Sequence, residues 1–337
     1  MTYKSRFTGK RTNDSRLAIF YEHPEWFKPL FAELDQRDVP YDRQLAYEHH
    51  FDPAERRSPY TLIVNRMSPS AHTRGYGQAL FYTLQYMAYL KDIGANVLNG
   101  YDSYVYEFSK VQQLNLFERL GVRYPRTGVI NHPSQAPKVE GLTYPVIVKP
   151  NVGGSGAGIR EFTTPDELDS AATDGEIDLG IDQIALVQEY LPARGNSIVR
   201  VEILNGEFLY AIRLHLQSEI TFNLCPADYC ELPSQENQEA EGLADGVSGR
   251  SLLVEGYTPP PDIIEMVKRI ANAAHIEVGG VEYLVNDRDG EVYYYDINAL
   301  SNFVADAPNI VGFDPFPRLV DFLMARSRLA DAERMVV

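Results

Sequence analysis

Apolar residues in the first third of the chain alternate between two spacings. Compact apolar runs at Leu17–Tyr21, Tyr60–Val64 and Val97–Leu98 predict three strands. Between them, apolar residues recur every three or four positions from Pro24 onward and again over residues 78–92, which predicts helices. Strands that alternate with helices favour a parallel sheet. We therefore predict an α/β N-terminal domain with a parallel sheet over residues 1–108.

The rest of the chain reads as mixed helices and strands. Ser109 is a candidate N-cap for a helix that ends at Gly121, and Asn205-Gly206 predicts a tight hairpin between two apolar strands. Further elements are predicted at residues 146–148, 159–162, 164 onward, 184–192, 261–275, 281–285 and 291–298. We divide this part into two α+β lobes, residues 109–190 and 191–337.

One segment interrupts the pattern. Residues 217–255 are polar, acidic and poor in apolar residues, which predicts a surface excursion that could act as a mobile lid. Cys225 and Cys230 lie in it, without a second pair for a zinc site. We interpret Cys225 as a buried thiol rather than a nucleophile, since no base accompanies it in sequence.

Composition and charge argue against several classes of protein function. The chain has 337 residues and a formal net charge of −16, which argues against a nucleic-acid partner. No window approaches the roughly 18 apolar residues of a membrane span. The first sixteen residues are basic without an apolar run behind them, so we interpret them as a frayed arm rather than a secretory signal. A cytoplasmic setting is the expectation.

A glycine-rich stretch carries the first candidate chemistry. Lys149 ends a β-branched run, and four of the next residues from 153 to 158 are glycines: Gly153, Gly154, Gly156 and Gly158, with Ser155 between them. Such a loop can bring bare backbone N–H groups against an anion. It is neither a P-loop nor a G-x-G-x-x-G motif. The two interpretations are a phosphate flap with a lysine at its base and a flexible hairpin connection.

Three oxygen ligands are expected on one sheet face near the end of the chain. Asp296 and Asn298 are alternate residues of one strand, and a short turn would bring Glu282 of the preceding strand opposite them. Such a set suits Mg²⁺, which binds one or two carboxylates together with substrate phosphates. The alternative is a solvated strand edge.

Three other basic residues lie at positions where a positive charge is unfavourable unless an anion is close to it. Lys110 lies in the first turn of its helix, where a cation is unfavourable unless an anion also binds there. Arg200 and Arg213 lie within apolar strands and therefore need anionic partners. Those partners could be Glu202, Glu189 or a triphosphate.

Together these motifs, in this order, resemble the ATP-grasp superfamily over about residues 109–326. The resemblance is strongest to the ATP-dependent carboxylate–amine ligases, such as glutathione synthetase, D-alanine:D-alanine ligase and the glutamate ligases. It implies that ATP lies between two α+β lobes, with Lys110, Lys149 and Arg200 near its phosphates and the flap folded over them. It further implies that Gln188, Glu189, Tyr190 and Leu191 hold adenine, that Glu282, Asp296 and Asn298 bind Mg²⁺, and that Arg213 steadies the transferred phosphoryl group.

The implied reaction is amide or peptide bond formation through an acyl phosphate, with release of ADP and phosphate. Two Mg²⁺ ions are expected, with Mn²⁺ as a substitute, and the substrates are a small carboxylate and an amine, such as an amino acid or peptide. A homodimer is compatible with the resemblance. The alternatives are a small-molecule kinase of the same superfamily and a nucleotide-binding regulatory protein without turnover. The ligase hypothesis requires the basic side chains of the middle of the chain to meet the acidic oxygens near its end.

Overall fold

A computed structural model describes residues 17–23, 25–216 and 253–336. The basic arm, Cys225, Cys230 and nearly all of the predicted lid lie outside the described residues, so those predictions remain untested. The described elements form three sheets that follow one another along the chain. Within the described ranges, no helix combines the length and the apolar character needed to cross a bilayer.

The first sheet is parallel, as predicted, and contains four strands rather than three. Its elements are β1 (Leu17–Tyr21), α1 (Lys28–Gln36), β2 (Tyr41–Leu45), β3 (Leu62–Arg66), α2 (Gly77–Asp92), β4 (Val97–Leu98) and α3 (Tyr101–Phe108). The strand order is β2-β1-β3-β4 with every pair parallel. β2 was missed because it reads Tyr-Asp-Arg-Gln-Leu and is only half-buried. A 3-10 turn at Pro69–Arg74 follows β3.

The second sheet carries the glycine-rich loop. Its elements are α4 (Lys110–Leu120), β5 (Thr127–Ile130), β6 (Val146–Pro150), β7 (Arg160–Phe162), α5 (Pro165–Thr173) and β8 (Ala185–Glu189). The order is β5-β8-β6-β7, all antiparallel. Ser109 caps α4 by accepting the Gln112 N–H, and Gly121 ends the helix at φ 64°, as predicted. The predicted strand, loop and strand of the flap correspond to β6, residues 151–159 and β7.

The third sheet is formed by the last five strands that the structure describes. It contains β9 (Ser197–Leu204), β10 (Glu207–His215), β11 (Leu253–Tyr257), α6 (Pro261–Ala273), β12 (Val278–Val285) and β13 (Val292–Asn298), in the order β11-β10-β9-β12-β13. Helices α7 (Ala307–Val311) and α8 (Phe316–Val336) follow. α8 packs against α1 and β3, which ties the end of the chain to the first sheet.

The third sheet packs against a hydrophobic core on each of its two faces. On one face, Tyr210, Ile212 and Leu214 pack against the first sheet and α8. On the other face, Val201 and Ala211 pack against α4 and α6. Helix α4, which we assigned to the first lobe, therefore packs on the third sheet and carries Lys110 to the boundary between the lobes.

Candidate active site

A cavity of about 580 Å³ opens between the second and third sheets, and Trp26, Ser68 and Pro69, which follow strands of the first sheet, also line it. Basic residues from the middle of the chain and acidic residues from its end both line it, as the sequence required. The lining includes the predicted residues Lys110, Lys149, Gly153, Gly154, Ser155, Gly156, Gln188, Glu189, Tyr190, Leu191, Arg200, Glu282, Asp296 and Asn298. Two predicted residues, Gly158 and Arg213, are not part of it.

Lys149 is a buried cation that faces this cavity. It lies on β6 and is 5% exposed, and within the described part of the chain no group pairs with its ammonium. Burial and, less strongly, the nearby charge of Lys110 lower the pKa of Lys149 to about 8, while Asp296 and Glu282 oppose the shift. A buried ammonium without a partner is unfavourable, so this position fits an anionic ligand.

Lys110 and the flap are joined by direct contacts. The Lys110 ammonium donates to the Gly153 carbonyl at 2.8 Å. The Asn151 side-chain oxygen accepts hydrogen bonds from the Ser109 hydroxyl and the Val111 N–H, both at 2.9 Å. These bonds fix the first turn of α4 to the start of the flap. They leave Lys110 in the cavity wall beside Lys149.

The flap packs closely on the first sheet's 3-10 turn. A Cβ on Gly154 would lie 3.1 Å from the Ser70 backbone nitrogen, so glycine permits this approach. Gly158 has a different role from the predicted phosphate contact. Its φ is +75°, and a Cβ there would lie 2.9 Å from the Pro150 ring, so it turns the flap back onto β6 and does not line the cavity.

The acidic residues meet as predicted on β12 and β13. Glu282 pairs directly with Asp296, and Gly280 pairs with Asn298. The Asn298 amide donates to a Glu282 oxygen at 3.3 Å. Burial and, less strongly, the neighbouring Asp296 charge raise the pKa of Glu282 to about 7, against the opposing effect of Arg200. Binding of a cation in addition to Arg200 is therefore favourable beside Glu282 and Asp296.

The donor set fits Mg²⁺ better than zinc. In the described part of the chain no group of three or more His, Cys, Asp or Glu side chains is arranged to hold a metal. The site instead combines two carboxylates with one amide, and Mg²⁺ takes its remaining ligands from water and phosphate. The Asp296 carboxylate has no ion-pair or hydrogen-bond partner among the described residues, which leaves both oxygens for a cation.

Arg200 has two acidic partners in the cavity wall. Its Nε donates to a Glu202 oxygen at 2.6 Å, and a terminal nitrogen donates to Glu282 at 3.3 Å. Burial disfavours the charge, but Glu202 and Glu282 raise the pKa of Arg200 overall. Glu189, the other acidic partner considered, instead accepts the Thr143 N–H at 2.7 Å. Arg200 thus braces Glu282 from the side opposite Asn298.

Arg213, for which the resemblance implied a catalytic role, does not line this cavity in the described part of the chain. A β-bulge between Phe208 and Tyr210 shifts the hairpin register by one residue, so Arg213 pairs with Val199 rather than Ile198. A one-residue shift moves a side chain to the other face of the sheet. There Arg213 donates to Glu255 at 3.2 Å and lies over the Tyr257 ring.

The predicted adenine segment lines the cavity beyond Lys149. The Gln188 amide donates to the Thr127 hydroxyl at 2.8 Å. The Glu189 and Tyr190 N–H groups donate to the carbonyls of Arg126 and Pro145 at 2.9 and 3.0 Å. These N–H groups therefore hold the strand end in place.

Two residues that support the site were not predicted. Gln113 of α4 binds both backbone groups of Ile297, between the two ligands on β13: its amide donates to the carbonyl at 2.8 Å and its oxygen accepts the N–H at 3.0 Å. Glu107 of α3 accepts the N–H groups of Ala299 and Leu300. Burial raises the pKa of Glu107 to about 7. The signal for Gln113 was a polar residue beside the apolar stripe of its helix.

The cavity has lysines on one side and carboxylates on the other, as the predicted resemblance to the ATP-grasp superfamily requires. A family model described as the RimK-like ATP-grasp domain matches residues 108–244. A D-alanine–D-alanine ligase A from Bradyrhizobium diazoefficiens is 29% identical over 210 residues, which are 58% of this chain and 51% of that protein. The chain spans about half the length of the curated relatives it matches.

Solved structures support the same fold over nearly the whole chain. A D-cycloserine synthetase has a TM-score of 0.64 at 13% identity, covering 93% of this chain and 99% of that one. A RimK domain ATP-grasp protein from Sphaerobacter thermophilus has a TM-score of 0.63 at 16% identity, covering 91% and 98%. The predicted resemblance to the ATP-grasp carboxylate–amine ligases is confirmed by the family model and by the D-alanine–D-alanine ligase relatives, and the solved structures share the fold.

Proposed function

We propose that this chain is an ATP-dependent ligase that joins a carboxylate to an amine. The observation that carries the proposal is the meeting of Lys149, a buried cation without a partner, with Glu282 and Asp296 across one cavity. Phosphates and divalent cations are the ligands that satisfy both sides at once. We expect small-molecule substrates, an amino acid or peptide among them.

Each side of the cavity has a part in holding Mg-ATP. Lys110 and Lys149 would bind phosphate oxygens under the flap, while the adenine lies against the strand end at Leu191. Glu282, Asp296 and Asn298 would hold Mg²⁺, which neutralises phosphate charge when bound. Arg200 would position Glu282 rather than bind a phosphate itself, because its guanidinium already donates hydrogen bonds to Glu202 and Glu282.

The proposed chemistry has two displacements. A substrate carboxylate oxygen attacks the γ-phosphorus, the bond to the bridging oxygen breaks, and ADP leaves. The amine nitrogen then attacks the acyl carbon, phosphate leaves with the electron pair of the carbon–oxygen bond, and the nitrogen loses a proton. The lysines neutralise the negative charge on the transferred phosphoryl group, and the flap excludes water from the acyl phosphate. No covalent enzyme nucleophile is needed.

The test is a screen of amino acids and small carboxylates for phosphate release from ATP. The proposal predicts ADP, phosphate and an amide in equal amounts, and only when both substrates are present. Asp296→Asn should reduce turnover at least about 100-fold, since it removes a charge from the proposed metal site. Asp174→Asn, at an exposed helix end, is the matched control and should leave turnover unchanged.

Other outcomes separate the alternatives. Formation of AMP would contradict the proposal. A stable phosphorylated product without an amine would indicate a kinase. Mg-ATP binding that survives Asp296→Asn, together with no turnover in the screen, would indicate a regulatory protein.

A further inference from the structure

One charged residue in the cavity wall has no part in the proposed binding of nucleotide and metal. Among the residues that the structure describes, the charged ones lining the cavity are Glu107, Lys110, Lys149, Glu189, Arg200, Glu282 and Asp296. The proposed function gives a part to all of these except Glu107. No histidine belongs to the described wall of the cavity. Glu107 is therefore the side chain left to move a proton there.

The Glu107 carboxylate is held at one oxygen and free at the other. Its Oε2 accepts the N–H of Ala299 and also the N–H of Leu300, the latter at 3.1 Å. Its Oε1 has no hydrogen-bond partner among the described residues, and it is not one of the unpaired oxygens that the protein encloses completely. Because the side chain lines the cavity, Oε1 is available to a molecule bound there.

Glu107 lies beside the proposed reacting centre without belonging to the metal site. The charges of Lys110 and Asp296 both act on its carboxylate, which places it between the phosphate side and the metal side of the cavity. In the described part of the chain, no three acidic or histidine side chains are arranged to hold one metal ion. Glu107 therefore does not join Glu282 and Asp296 as a third carboxylate ligand, and its free oxygen is left for another role.

The protonation of Glu107 suits a base that works at neutral pH. Burial raises the pKa of Glu107 to about 7, against the lowering effect of the hydrogen bonds from Leu300 and Ala299. Tyr104 of the same helix and Arg66 of β3 also interact electrostatically with Glu107. A general base is most efficient when its pKa lies near the pH at which the enzyme works.

We propose that Glu107 accepts a proton from the amine substrate, which arrives as an ammonium ion. An ammonium nitrogen has no lone pair, so it must lose a proton before it can attack. One proton moves to Glu107 Oε1, the freed lone pair forms the carbon–nitrogen bond, and the acyl carbon–oxygen bond breaks with its electrons on phosphate. A second proton passes from nitrogen to the departing phosphate, and Glu107 returns its own to water. The role rests on the proposed ligase function and restricts the nucleophile to a basic amine.

The experiment compares two nucleophiles that differ in their need for a base. The carboxylate and the amine are the most active pair from the phosphate-release screen, and hydroxylamine, which is uncharged at neutral pH, replaces the amine in a parallel assay. In Glu107→Gln, kcat for amide formation should fall about 100-fold. Hydroxamate formation should stay within about 3-fold, because hydroxylamine attacks without first losing a proton. KM for ATP should stay within about 2-fold, since Glu107 does not hold the nucleotide.

The pH dependence provides a readout that a purely structural role would not change. As pH rises, more of the amine loses its proton in solution and needs no base. The ratio of kcat in Glu107→Gln to kcat in the unchanged protein should therefore rise steadily between about pH 7 and pH 9. Taking the ratio cancels the effects of other groups, such as Lys149, that titrate in both proteins.

Two further variants complete the comparison. Glu118→Gln is the matched control, because Glu118 is an exposed residue of α4 that also accepts a hydrogen bond, from the Tyr124 hydroxyl at 3.0 Å. It should leave both rates unchanged. Glu107→Asp keeps the carboxylate on a shorter arm and should slow amide formation about 10-fold without slowing hydroxamate formation. It takes the place of Glu107→Gln if that variant does not fold.

The results distinguish this inference from the ligase proposal. Unchanged amide formation in Glu107→Gln overturns the role of Glu107 and leaves the ligase intact. An equal loss of amide and hydroxamate formation, or a ratio of rates that does not change with pH, also overturns it, since either shows that Glu107 only holds Ala299 and Leu300 in place. Formation of AMP, or no phosphate release with any pair, counts against both proposals.

Discussion

Replacing Gln113 tests whether the carboxylate strand depends on helix α4. The Gln113 side-chain amide makes three hydrogen bonds: a half-buried one to the Tyr106 carbonyl at 2.8 Å and two buried ones to the backbone groups of Ile297 at 2.8 and 3.0 Å. β13 is an edge strand, so these bonds take the place of a neighbouring strand. Gln113→Leu keeps the volume but leaves the backbone groups unpaired, at about 1 to 3 kcal/mol for each buried group.

The expected loss is about 3 kcal/mol in the free energy of unfolding, measured by urea denaturation. Because Ile297 lies between Asp296 and Asn298, the same change should weaken Mg-ATP binding by about 10-fold, measured by calorimetry. Gln112→Leu is the matched control: it alters the adjacent, exposed position of the same helix. Its effect on stability should stay within about 0.5 kcal/mol.

Two results would refute this reasoning in different ways. A loss of stability below about 1 kcal/mol would mean that water or another group satisfies Ile297 as well as Gln113 does. A full loss of stability with unchanged Mg-ATP affinity would mean that β13 keeps its ligands in place without the helix. Only a combined loss supports the link between α4 and the carboxylates.

Further predictions concern the flap and the pH dependence of binding. Gly154→Ala should weaken Mg-ATP binding about 3- to 10-fold, because its Cβ would press on Ser70 at 3.1 Å; Gly100→Ala, which meets only ordinary contacts, should not. Mg-ATP binding should be tightest near pH 7.5. It should weaken below about pH 7, where Glu282 is protonated, and above about pH 8, where Lys149 loses its charge. Calorimetry in buffers of different ionisation enthalpy should show proton release at pH 6.5 and uptake at pH 8.5; equal heats in all buffers would contradict the assigned pKa values.

Short-range signals predicted the local geometry of the site. Asn205-Gly206 forms the two-residue turn between β9 and β10, and Ser109 caps α4. Alternation along a strand placed Asp296 and Asn298 on one face, and the hairpin placed Glu282 opposite them. These features depend on residues close in sequence, which is why the pattern alone suffices.

Register over longer distances could not be predicted. Arg200 and Arg213 look alike in sequence, each among apolar neighbours, and a regular hairpin would place both on one face. The extra residue at the bulge near Leu209 moves only Arg213 to the other face.

In the ligand-free protein, the charged groups of the site lie in an unfavourable environment, and this has a consequence for ligand binding. Glu282 faces Asp296, so burial and a like charge both oppose its ionisation, while Lys149 is buried with Lys110 as a neighbour. Opposite charges that would relieve each other are present in the same cavity, yet within the described residues Lys149 forms no ion pair with either carboxylate. Groups held apart in this way gain more from a ligand that carries phosphates and a metal ion together than from either alone. The geometry therefore favours binding of the nucleotide and the metal as one unit, with Arg200 and Gln113 keeping the carboxylates in position before the ligand arrives.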